Sequence, residues 1–126
     1  MPDRRSDRLR VVRVYDLGGV DAGRRILVDR LWPRGVRREA LALDEWARDV
    51  APGASLRTWF GHDPARFPAF ADAYRAELDA NPAADAFAAR VLAVLRTEPV
   101  LLLYAARDPA CNHAVVLRDW ILARGG

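Results

Sequence analysis

The residues best suited to chemistry in this chain stand behind two apolar segments. Arg25-Ile26-Leu27-Val28-Asp29-Arg30-Leu31 runs into Trp32-Pro33-Arg34-Gly35, and Val100-Leu101-Leu102-Leu103-Tyr104-Ala105-Ala106 runs into Arg107-Asp108, with Asn112 and His113 shortly after. Guanidinium groups present planar forks of donors that match carboxylate and phosphate oxygens, so Arg30, Arg34 and Arg107 together would clamp an anion. Trp32 would supply an apolar wall and Asn112 a further polar contact. Asp29 and His113 are the candidates for handling a proton, since imidazole titrates near neutral pH and a carboxylate can orient or relieve it. The same residues admit a plainer assignment, in which Asp29 pairs with Arg34 or Arg107, and Asp16 or Asp108 with Arg30, only to satisfy charge.

Other reactive side chains carry less. Cys111 would gain acidity from a helix N-terminus and a nearby arginine, or else pack as a small residue. His62 sits in a Gly-His-Asp-Pro turn and fits turn and cap chemistry. The two histidines are far apart and lack clustered carboxylates, and neither a glycine-rich phosphate loop nor a nucleophile elbow is present, so no metal and no cofactor are expected. A single cysteine closes no intrachain disulfide and builds no cysteine zinc site.

These side chains need a scaffold that brings segments seventy and more positions apart to one place. Val11, Val12, Val14 and Tyr15 predict a first strand within Leu9 to Leu17, followed by Gly18-Gly19. The segment from Arg25 to Leu31 predicts a second strand. Leu43, Trp46, Ala47 and Val50 then fall at helical spacing and predict a helix that Pro52-Gly53 ends. Ser55 would cap a short helix through Phe60. Asp63-Pro64 opens a longer one with Phe67, Phe70, Ala71, Tyr74 and Leu78 inward, and Asn81-Pro82 opens another with Ala84, Phe87, Ala88, Val91 and Leu95 inward. The run from Val100 to Ala106 lacks polar alternation, as in a strand covered on both faces in the middle of a sheet. Asp108-Pro109 would cap a last helix with Ala114, Leu117, Trp120 and Ile121 on its core side.

Such an order predicts an α/β domain, a small and mostly parallel sheet of three to four strands with helices on both faces, spanning residues 10–126 behind a basic, flexible tail at residues 1–9. The eight or so residues between the first two strands are few for a parallel crossover, so a hairpin is the alternative there. In parallel sheets ligands gather beyond the carboxyl ends of the strands, where loops converge and helix N-termini point their amides. The polar residues above follow those ends.

The chain has 126 residues, 52% hydrophobic, enough for one domain with a real core. No apolar run reaches the roughly twenty residues of a membrane span, and no apolar stretch backs the first ten residues as in a secretory signal, so a cytoplasmic protein is expected. All 20 basic residues are arginine, as a GC-rich genome would favour. Residues 1–38 hold eleven arginines against five aspartates, while the rest of the chain holds nine arginines against twelve acids. That basic front third offers a second function, contact with nucleic-acid phosphates, although a solvated terminus explains the tail more simply.

The blocks Arg13-Val14-Tyr15-Asp16, Val28-Asp29-Arg30-Leu31-Trp32-Pro33-Arg34-Gly35, Ala51-Pro52, Leu56-Arg57-Thr58-Trp59-Phe60 and Leu103-Tyr104-Ala105-Ala106-Arg107-Asp108, with Trp46, Asn112 and Ala114-Val115-Val116-Leu117, resemble the YeaO-like family, part of domain of unknown function 488. The resemblance covers about Arg10 to Leu122. It implies a small bacterial cytoplasmic protein for which no activity is agreed. Longer relatives in that wider family carry a helix between their first two strands, which implies that the first two strands here are parallel with a shortened crossover. They also carry a Cys-His-Arg motif after the last strand. On this chain it falls on Asn112-His113-Ala114, with Cys111 one residue too early, so the cysteine chemistry does not transfer. What carries over is the pair Asp29 and Arg30 and the neighbourhood of Asn112 and His113.

The sequence therefore leads to a binder of an anionic or phosphorylated small molecule at the strand ends, with turnover left open. The alternatives are a nucleic-acid-associated module and a protein-interaction subunit whose tryptophans cover a partner.

Overall fold

The computed structural model describes residues 7–17 and 22–125. Residues 1–6, the greater part of the expected tail, and the Gly18-Gly19 break lie outside them. Four strands, β1 (Leu9–Arg13), β2 (Arg24–Leu27), β3 (Glu45–Trp46) and β4 (Val100–Tyr104), form one parallel sheet in the order β1-β4-β2-β3. The helices are α1 (Arg38–Leu41), α2 (Ala54–Phe60), α3 (Phe67–Asp79), α4 (Pro82–Val94) and α5 (His113–Gly125). No helix among the described residues is long and apolar enough to cross a membrane.

The apolar run that ends the sequence's strands takes the sheet's interior, as its lack of polar alternation requires. All five residues of β4 are buried. β1 and β2 pair with opposite edges of it, and both begin opposite Val100. The first two strands are thus parallel, as the resemblance implies, but β4 lies between them. Gly23 delivers the chain into β2 at φ 141°, where a Cβ would stand 2.8 Å from the Pro99 carbonyl oxygen, so only glycine passes there.

Alternation of side chains along the strands divides the core in two. Leu9, Ile26, Val28, Val100, Leu102 and Tyr104 face a large cluster built with α2 to α5, while Val12, Leu27, Leu101 and Leu103 face a smaller one. Helices therefore lie on both faces, unequally: α1 supplies Leu41 to the smaller side, and loop residues Trp32, Val36 and Leu43 complete it. In α3 and α4 the inward stripes are those the spacing predicts. Phe70, Ala71, Tyr74 and Leu78 are buried and Phe67 is partly so; Ala84, Phe87, Ala88, Val91 and Leu95 are buried as well. Asn81 caps α4 as expected, accepting from the Ala83 N–H, whereas Asp63 accepts from the Ala65 N–H to open a 3-10 turn, Pro64–Arg66, that runs into α3 at Phe67.

Several elements depart from the spacing. The first two strands are shorter than expected; β1 gives way to a 3-10 turn at Val14–Asp16, and β2 ends at Leu27. The helix expected over Leu43 to Val50 is absent. α1 ends at Leu41, the following Ala42 adopts a left-handed φ of 48°, and the Asp44 carboxylate and N–H both bond to the Arg25 backbone, drawing Glu45–Trp46 in as an edge strand. Leu43 and Trp46 then serve the smaller core, whereas Ala47 and Val50 serve the larger. Four apolar residues at helical spacing thus belong to two faces of a sheet. Ser55 caps nothing: α2 starts one residue before it, and the preceding Gly53 N–H is taken by Glu77. Nor does Asp108-Pro109 cap the last helix, which begins at His113 with the Asn112 side chain accepting from the Val115 N–H.

Candidate functional site

Beyond the carboxyl ends of β2 and β4, the two central strands, lies a cleft of about 640 Å³. Asp29, Arg30 and Leu31 enter it from β2, and Ala105 to Asp108 from β4. Asn112 and His113 stand at the start of α5, and Arg57, Phe60 and His62 come from α2 and its exit turn.

Asp29 ties the strand exits together. One carboxylate oxygen, Oδ2, accepts the Ala105 N–H at 3.0 Å, joining the two central strands just past their last pairing, while the Asp29 carbonyl receives the Trp46 indole N–H at 2.8 Å. The other oxygen, Oδ1, is buried without a hydrogen bond, although His113 Nε2 stands 3.0 Å away. That ring nitrogen is 3.1 Å from the Val28 carbonyl. Tyr74 closes the back of the imidazole, its ring edge-on at 6.3 Å. Its hydroxyl donates to the Val50 carbonyl, and burial, with the charges of Glu77 and Asp29, raises its pKa so far that it remains a donor.

Asn112 is buried and already occupied. Its Nδ2 donates to the Asp108 carbonyl at 2.8 Å and its Oδ1 accepts from Val115, so it straps the loop to the helix it caps. The Asp108 carboxylate accepts the Ala110 and Cys111 N–H groups. These two backbone bonds favour its charged form and lower its pKa. Cys111 lies outside the helix and is not among the residues lining the cleft. Desolvation, then the Asp108 charge and a hydrogen bond to it, push its thiol up. The expected acidification by a helix N-terminus is therefore corrected: the cap falls on the residue after the cysteine, and the nearest charge is negative.

Of the three arginines expected to converge, two do. Arg30 reaches the rim, where its Nε and one terminal nitrogen share the Pro52 carbonyl at 3.3 Å. Arg107 lines the cleft, exposed, with no hydrogen-bond or ion-pair partner among the described residues. Arg34 does not join them. At Trp32 the chain turns to the opposite face, where Trp32 packs edge-on against Trp46 at 5.4 Å and donates to the Val36 carbonyl. Buried Pro33 follows, and Arg34 is exposed beyond it, holding Tyr15 through its carbonyl. Trp32 is accordingly a core residue of the smaller cluster and forms no wall of this cleft.

The third guanidinium is one that strand-end reasoning missed. Arg57, on α2, lines the cleft and also lacks a partner among the described residues. His62 joins it from the turn after α2, where its φ is 59° and its ring lies 6.1 Å from that of Phe60. Phe60 stacks on Phe70 at 4.2 Å, and these rings with Pro52 and Ala51 give the cleft an apolar base. Nothing local marked Arg57 except its place in the Leu56-Arg57-Thr58-Trp59-Phe60 block. The neutralising pairs considered from sequence do not form either: among the described residues, Asp29 meets His113 and Ala105, Asp108 meets backbone amides, and Asp16 meets Arg13 at 4.0 Å.

Fold and site together define a parallel α/β protein with an arginine-lined cleft at the ends of its central strands. Residues 8–125 match a family model described as the inactive DUF488-N3 subclade, and the chain belongs to the DUF488 family, in its YeaO-like branch. It is 40% identical over 109 residues to the uncharacterized protein YeaO of Escherichia coli, covering 86% of this chain and 92% of that protein. It is 38% identical over 120 residues to the uncharacterized proteins Rv3073c of Mycobacterium tuberculosis and Mb3100c of Mycobacterium bovis, covering 95% of this chain and 98% of each. No solved structure matches the chain.

Proposed function

We propose that this protein binds an anionic or phosphorylated small molecule in the cleft and holds it without turnover. The observation that carries the reading is that Arg57 and Arg107 line one cleft with no partner among the described residues, beside Arg30, which is satisfied only by a carbonyl. Like charges gathered around a partly apolar concavity repel one another and raise the local positive potential, and an anion seated between them relieves that cost. The two carboxylates of the cleft do not compete with a ligand for these groups, since Asp29 and Asp108 are held by backbone amides. The apolar base of Phe60, Phe70 and Pro52 suits a ligand with a hydrophobic body behind its charge.

Binding without turnover is supported by the same residues. The resemblance implies that Asn112 falls where longer relatives carry a cysteine; its polar atoms serve the helix cap, and Cys111 holds its proton outside the cleft. The family description carries the word inactive.

Titration calorimetry with phenyl phosphate tests the reading. The wild-type chain binds it, and Arg57→Gln and Arg107→Gln each weaken binding roughly tenfold or more, because a charge-assisted hydrogen bond contributes about 1.5–3 kcal/mol. Arg34→Gln leaves the affinity as it is. Equal losses from all three variants, or no binding at all, would sink the proposal.

A further inference from the structure

The cleft's inner wall has a polarity opposite to its rim. A carbonyl oxygen can only accept, so the closeness of His113 Nε2 to the Val28 carbonyl, at 3.1 Å, places the proton on Nε2 and, in the neutral ring, the lone pair on Nδ1. Asp29 reinforces that tautomer. Its carboxylate cannot swing away, because Oδ2 is fixed on Ala105 and the backbone carbonyl on Trp46, and its unbonded Oδ1 lies behind the same Nε2–H at 3.0 Å. A carboxylate behind one ring nitrogen makes the other a better acceptor. Nδ1 has no partner among the described residues, and His113 lines the cleft.

Resting on the anion-binding reading above, we infer that the ligand also carries an N–H or O–H donor on its body, away from the anionic group, and that His113 Nδ1 accepts it. His113 is then a specificity-determining contact and Asp29 the positioning residue that fixes its tautomer. Arg30, Arg57 and Arg107 offer only donors, so a ligand bearing a second anion or a methylated oxygen at the far end gains nothing from His113. The ligand class that fits is an aryl or other flat, apolar phosphate or carboxylate with a hydroxyl or amide hydrogen on its ring.

The probes are phenyl phosphate, its ortho, meta and para hydroxy derivatives, and the matching methoxy derivatives, titrated into the full chain by calorimetry. At least one hydroxyphenyl phosphate binds about three- to tenfold more tightly than both its methoxy twin and phenyl phosphate, the range one hydrogen bond provides. In long-range nitrogen–proton spectra, where the chain's two histidines give separate rings, His113 Nδ1 of the free protein resonates as an unprotonated nitrogen. It moves upfield with that isomer but not with the methoxy twin. Asp29→Asn shrinks the preference and His113→Phe erases it, and the wild-type pairs and spectrum decide the matter should either variant not fold. If no hydroxy isomer exceeds its methoxy twin while phenyl phosphate still binds through Arg57 and Arg107, or if Nδ1 is protonated in the free protein, the donor inference is overturned and the anion reading stands. If none of the phosphates binds, both fall.

Discussion

The smaller core and the cleft use arginine and aromatic residues in opposite ways. On the smaller face, Arg38 lies over Trp32 at 5.8 Å and Arg48 over Trp46 at 4.2 Å, so the cations cap rings that the core already holds. In the cleft, Phe60 and Phe70 stack on each other, and Arg57 and Arg107 line the same concavity with no partner among the described residues. Arg30 and Trp32 show how finely the chain sorts the two: separated by one residue, they go to different sides of the molecule. The difference teaches that a guanidinium already capping a ring is structural, whereas one that lines an open concavity without a partner is available for a ligand.

Truncating one aromatic on each face breaks this contrast most sharply. Phe70→Ala removes a ring that is 1% exposed and stacked against Phe60, so it costs about 3–5 kcal/mol in urea denaturation and also abolishes phenyl phosphate binding. Trp32→Ala removes a half-buried ring and one hydrogen bond, costing about 2 kcal/mol, yet leaves the affinity of the folded fraction unchanged. A loss of affinity on Trp32→Ala equal to that on Phe70→Ala would erase the distinction between the faces.

A smaller effect is expected where the cleft meets α5. Asn112→Ala strips the cap and the strap to Asp108, and lowers stability by about 1–2 kcal/mol on the same denaturation assay. Asn112→Asp keeps the cap acceptor but not the donor to Asp108, and falls between the two.

The smallest effect is in pH. The carboxyl of Asp108 is held below its ordinary value by the Cys111 and Ala110 amides. A group whose folded pKa is depressed contributes stability that is present above its unfolded pKa and lost as the pH falls through the folded one. The unfolding midpoint of the wild-type chain therefore drops more steeply below roughly pH 4 than that of Asp108→Ala, and the two run parallel above it. Parallel curves throughout would show that the turn holds without the charge.

Much of this architecture is legible along the chain because single elements solve their packing locally. α3 and α4 each bury one stripe, the Asn-Pro device opens α4 and the Asp-Pro device the 3-10 turn that leads into α3, and β4 is apolar from end to end because helices and loops cover it on both sides. The stretch from Arg38 to Val50 is not legible, because Leu43, Trp46, Ala47 and Val50 satisfy helical spacing while serving two cores on either side of the sheet. For the site, Asp29, Arg30, Arg107, Asn112 and His113 follow from strand ends alone, since a parallel sheet gathers its loops at one rim. Arg34 and Trp32 come from the same rule and miss, because the loop crosses to the other face after two residues. Arg57 and His62 belong to a helix and its exit turn, whose placement over the rim is set by the stacking of Phe60 on Phe70, a contact with no signature in local sequence.

The central claim is that a negative ligand sits on the side of the sheet covered by α2 to α5, at the ends of the two middle strands. Amide chemical-shift mapping with phenyl phosphate addresses this most directly. The account predicts saturable shifts at residues 29–31, 57–62 and 105–113, with residues 32–38 and 14–16 unmoved. Shifts confined to residues 32–38, or to the basic segment that begins the chain and fading steeply with added salt, would contradict it.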